Sequence, residues 1–233
     1  MRLKKCLISC LYSILCLCLL SCSANNRNID SKESVFDTIV LNTHTICISP
    51  ITELEYNEIR NSYKIDYDTT PIIKTNGVLA LPLAKNKKVI LKDSLSNTDF
   101  VEQVTYEYIG FIKEVDLYIV SAQFYETGEI LLINYKTGLK TKMWSIPKLS
   151  PDRKHLVAWS GILDYDLMPN GIQMWSVQKN GELKLEWEYT QNEWEPYDVK
   201  WANNYSINVI KIIPDFLSSS KKDEKEYIKL WHC

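Results

Sequence analysis

Glycine is scarce in this chain, seven residues in 233, and none of the glycine-built phosphate or nucleophile motifs occurs. Without Gly-x-Gly-x-x-Gly, a P-loop or Gly-x-Ser-x-Gly, the close backbone approach those sites make to a pyrophosphate or an attacking serine is not encoded. Histidine is scarcer still. His44, His155 and His232 stand far apart, and none has the His-Glu-x-x-His spacing that puts two ligands on one helix face. An excess of positive charge is also missing, with 27 Lys and Arg against 29 Asp and Glu, so no nucleic-acid partner is predicted. No catalytic set, metal set or cofactor is predicted either. The longest mainly apolar run, residues 6–20, is 15 residues, short of the roughly 17 to 25 that a membrane-spanning helix needs.

What is there begins with that run. It follows the positively charged start MRLKK, and the two together predict an export signal rather than a span. The next residues, Leu19, Leu20, Ser21 and Cys22, resemble the lipobox of bacterial lipoproteins. The resemblance implies cleavage before Cys22, a diacylglyceryl group on its thiol and acylation of the new amine. Each buried methylene contributes about 0.8 kcal/mol, and two or more chains hold a protein on a bilayer where one does not. Residues 1–21 are then a signal peptide and 22–45 a lipid-anchored polar tether, with a single β-rich domain over 46–233. Cys6, Cys10, Cys16 and Cys18 leave with the signal. By the family's sorting rules, Ser23 after the cysteine implies the outer rather than the inner membrane, with the domain facing the periplasm.

Only Cys47 and Cys233 then remain beside Cys22. In a compartment that permits disulfides the pair invites bridging, and closing so long a loop is worth up to about 5 kcal/mol in the chain-entropy model. The alternative is that Cys47 is a small buried hydrophobe and Cys233 is frayed. Neither has Cys-x-x-Cys spacing.

Residues 49–64 predict one helix, near 50–63. Ser49 suits a cap and Pro50 a first helical position, while Thr52 with Glu55 matches a capping box. From about residue 72 the apolar period changes to two, and segments rich in β-branched and aromatic residues follow one another. Leu183, Leu185, Trp187 and Tyr189 alternate with Lys184, Glu186 and Glu188, which predicts a half-buried strand. The fold class is mainly β, with antiparallel meandering sheets, propeller-like or sandwich.

Sliding the sequence by 43 residues pairs Lys136 with Lys179, Gly138 with Gly181, and Trp144 with Trp187. Each copy reads as strand, Lys-x-Gly turn, strand, and a period of about 40 to 45 is that of four-stranded blades. The stretch 149–160, with Ser150, Pro151, Asp152, Arg153 and Lys154 ahead of an apolar strand, resembles the WD40-like repeats of TolB-type propellers, with arginine where that family usually has glycine. The resemblance implies a bladed sheet arrangement over about 104–210.

All seven tryptophans lie at or beyond position 144, and their strand positions place most of them between sheets. Trp194 is the exception. With Glu193 and Glu195 it sits in a loop-like stretch and is the predicted exposed contact. Asp164, Asp166 and Asn170, and the pair Asp66 and Asp68, read as solvated loops, because Met168 and Pro169 interrupt the calcium-loop pattern. The expected function is a membrane-anchored lipoprotein of the bacterial cell envelope, a non-catalytic binding or scaffold module that meets a bilayer through Cys22 and an envelope protein or glycan through its domain. Two other readings stay open: an envelope enzyme acting on a glycan or other polymer, and a periplasmic inhibitor or immunity lipoprotein.

Overall fold

The computed structural model describes residues 35–41, 43–59, 67–94, 103–161, 168–214 and 224–233, all within one folded unit, Val35–Cys233. The predicted signal peptide, Cys22 and most of the predicted tether lie outside the described residues. In chain order the elements are Asp37–Leu41 (β1), His44–Pro50 (β2), the helix Glu53–Glu58 (α1), Tyr67–Asp68 (β3), Val78–Pro82 (β4) and Lys88–Lys92 (β5). Then come Thr105–Ile112 (β6), Leu117–Gln123 (β7), Gly128–Asn134 (β8), Lys140–Met143 (β9), Lys148–Leu149 (β10) and His155–Ser160 (β11). Gly171–Val177 (β12), Leu183–Thr190 (β13), Glu195–Trp201 (β14), Ser206–Ile213 (β15) and Glu224–His232 (β16) complete the chain.

These strands make a mainly β fold of antiparallel sheets stacked face to face. The hairpin β4-β5 packs on sheet β3-β6-β7-β8-β9, which packs on sheet β10-β11-β12-β13, which packs on sheet β1-β2-β16-β15-β14. The middle layers are covered on both faces, and their sequences show why. In β7, Leu117 and Ile119 enter one core while Tyr118, Val120 and Ala122 enter the next, so the strand reads as a continuous apolar run. Sheet β10–β13 divides likewise, Leu156 and Ala158 to one side and Val157, Ile172 and Met174 to the other.

The 43-residue repeat coincides with equivalent hairpins, β8-β9 and β12-β13, the third and fourth strands of two consecutive meanders. Gly138 and Gly181 hold the same left-handed backbone, φ +76° and +79°, where a side chain would be strained. Arg153 adopts φ +63° in the turn before β11, at a cost of about 1 kcal/mol that glycine would not carry.

The helix is shorter than its sequence predicts, and Ser49 and Pro50 end β2 instead of starting it. The pull of β16 explains this, since Pro50 pairs with Ile228 and Ser49 with Lys229. The capping box is present: Thr52 Oγ1 accepts from Glu55 N at 3.2 Å, and Glu55 Oε2 accepts from Thr52 N at 2.6 Å. The tether boundary at 45 also moves. β1 and the start of β2, assigned to the tether on composition, are paired strands of the last sheet.

Candidate functional site

At one end of the interface between sheets β10–β13 and β1-β2-β16-β15-β14 the core stops at Met174, Trp201 and Leu230, and a cavity of about 290 Å³ opens. Its lining brings together all three histidines of the chain, His44, His155 and His232, with Glu186. Trp187 and Tyr205 complete much of the wall, Tyr205 on the turn after β14.

Local chemistry places each group. His155 opens β11 because the preceding turn is tied to Ser150, whose Oγ accepts from His155 N at 2.9 Å and donates to Asp152 Oδ1 at 2.7 Å. His44 opens β2, and His232 ends β16 opposite Ile46. The Cys47–Cys233 disulfide, with Cα atoms 5.8 Å apart, ties these strands where both histidines emerge. The His44 and His232 rings meet edge to face with centroids 5.4 Å apart.

Glu186 arrives by a break in the alternation. Trp187 pairs with Met174 and Leu185 with Trp175, so Glu186 is the extra residue of a β-bulge. Bulges re-aim side chains next to sites, and here the strand changes faces across the bulge. Leu183 packs in one core and Trp187 and Tyr189 in another, while Leu185 is left 39% exposed. Glu186 Oε1 accepts from Ser176 Oγ at 2.5 Å, and Oε2 stands 3.6 Å from His44 Nε2. The Ser176 hydrogen bond holds the carboxyl below its ordinary range against burial, with Lys184, His44 and His155 adding to it. His155 Nδ1 is buried with no hydrogen-bond partner among the described residues.

The predicted contact at Trp194 is corrected. Trp194 is 7% exposed and belongs to the core between the two sheets. Its backbone carbonyl accepts from the Asn170 and Gln191 side-chain amides, and Gln191 Oε1 accepts from Trp194 N at 3.0 Å and from Glu193 N at 2.7 Å. This turn folds the indole inward. Glu193 is exposed at its tip, and Glu195, half-buried, starts β14 rather than continuing a loop. Trp194 and Glu193 border a recess of about 600 Å³ at the opposite end of the same sheets, with Phe36, Ile39 and Lys211. Asn170 is 6% exposed and structural, and Asp68 accepts from Thr70 and pairs with Lys113 at 3.1 Å. Asp66, Asp164 and Asp166 lie outside the described residues.

The histidine cavity was not read from sequence because its groups lie up to 188 positions apart. The one local signal was the juxtaposition of Trp231, His232 and Cys233. Comparison with protein families, curated proteins and solved structures finds no match for this chain.

Proposed function

We propose that the chain is a lipid-anchored binding module of the bacterial envelope, held on the membrane by acylated Cys22, with the histidine-lined cavity as its ligand seat. The observation that carries the reading is the cavity's composition: aliphatic and aromatic walls from Met174, Leu230, Trp187 and Trp201, with a few polar groups facing in. Small-ligand sites are built this way, apolar for affinity and sparsely polar for orientation. Binding is favoured over glycan hydrolysis because Glu186 is the single carboxylate among the described lining residues, whereas glycosidases generally work with a pair.

The experiment has two arms. Labelled palmitate supplied to cells enters the wild-type chain and is lost from Cys22→Ala; equal labelling of both overturns the anchor. Crosslinking capture from the native envelope, with a photoreactive group at Tyr205, recovers a protein or glycan partner that Trp187→Ala releases. A glycan panel that shows turnover, with no partner captured, overturns the binding reading in favour of the enzyme.

A further inference from the structure

We propose that the cavity holds a divalent transition-metal ion of the zinc, nickel and copper class, with His44, Glu186 and His232 as ligands; this rests on the reading of the cavity as the ligand seat. Two donors each about 2.0–2.1 Å from a tetrahedral ion stand roughly 3.3 Å from one another. His44 Nε2 and Glu186 Oε2 are 3.6 Å apart, so an ion enters between them with a small side-chain adjustment. The ring of His232 lies beside that of His44, edge to face with centres 5.4 Å apart. Among the described residues no three such donors already converge on one point. The third arrives by rotation of His232, whose side chain is solvent-exposed at the end of β16.

Three further features suit a metal. Ligating carboxylates are themselves hydrogen-bonded, which fixes their orientation, and the second oxygen of Glu186 is held by the Ser176 hydroxyl. The Cys47–Cys233 disulfide restrains the strand ends that carry His44 and His232. His155 lines the same cavity and adds a third imidazole to its wall. Imidazoles with one carboxylate select zinc, nickel and copper over calcium and magnesium, which prefer all-oxygen sets.

The test is calorimetric titration of the oxidised full-length mature protein with Zn²⁺ and Ni²⁺, with Ca²⁺ as control. One transition-metal ion binds per chain, and affinity falls about 10-fold or more in His44→Ala and in His232→Ala. Ser176→Ala, which removes no ligand, weakens binding by a smaller factor. Circular dichroism melts establish that each variant is folded, and His232→Ala, changing an exposed side chain, is the safeguard if His44→Ala is not. Absence of binding, or affinity unchanged in folded His232→Ala and Glu186→Gln, overturns the proposal. The cavity reading is judged separately: Tyr205 crosslinks that persist in metal-free protein leave it standing while the metal falls, and loss of both removes both.

Discussion

Asp198 and Glu186 each stand at a β-bulge on one of two facing sheets, and they are surrounded in opposite ways. At Asp198 the extra residue is Tyr197, left 61% exposed, and the carboxylate behind it is surrounded by donors. Tyr56 Oη donates to it at 2.6 Å, Lys148 Nζ at 2.8 Å, and the Val199 amide at 2.9 Å. Lys148 also donates to the Val199 carbonyl at 2.7 Å and lies 4.9 Å from the centre of the Trp159 ring, while Trp201 Nε1 donates to the Lys148 carbonyl at 2.9 Å. This knot ties α1, β10 and β14 together. At Glu186 one oxygen has a hydroxyl and the other faces an imidazole across 3.6 Å, beside a cavity. A carboxylate with all its donors supplied by the protein holds the fold; one with acceptor capacity left over, next to unfilled space, is placed for something else to bind.

Four experiments probe that contrast, from the largest effect down. Cys47→Ala with Cys233→Ala should lower unfolding free energy by about 3–5 kcal/mol, since the bridge spans 186 residues. Amide exchange should rise at the ends of β2 and β16 more than at β14; a uniform rise would deny that the disulfide supports the cavity end in particular. Asp198→Ala strands the Lys148 ammonium and the buried Tyr56 hydroxyl, at a cost of about 2–3 kcal/mol, reduced from the fully buried case because about a third of the carboxylate is exposed. Tyr56→Phe should cost about 1–2 kcal/mol by denaturant melts. Glu186→Gln should cost under about 1 kcal/mol. Equal losses for Asp198→Ala and Glu186→Gln would erase the distinction.

Acid titration sharpens the same comparison. Burial pushes the Asp198 carboxyl up, but the Lys148 and Tyr56 hydrogen bonds outweigh it and hold it below the ordinary range. Its folded pKa is therefore below its unfolded value of about 3.9, so its stabilisation is fully present above about pH 4 and is lost as pH falls through the folded value. Asp198→Asn should flatten this acid limb of a stability–pH curve. Tyr56 moves the other way, its phenol raised by burial and by the Asp198 hydrogen bond, so it stays a donor throughout.

Much of the fold was legible in the sequence. The segments over β11, β12 and β15 coincide with apolar, β-branched stretches. β14 was not legible, because Pro196 and its charged neighbours read as loop; the proline stands beside a bulge on the last strand of its sheet, the kind of position where strands accept one. Residues 37–45 were hidden for another reason. Among the described residues their strands pair only among themselves and with β16, nearly 190 positions away.

By itself the sequence determined what short-range forces decide. The Thr52–Glu55 cap, the left-handed turns at Gly138 and Gly181, and the two-residue period of the strands each involve atoms within a few positions of one another. Tertiary structure alone decided which strand lies beside which, that Trp194 turns inward, and that a bulge swings Glu186 toward three histidines otherwise unrelated in sequence. Those outcomes depend on burial between sheets, which is gained by distant segments jointly and leaves no mark on any one of them.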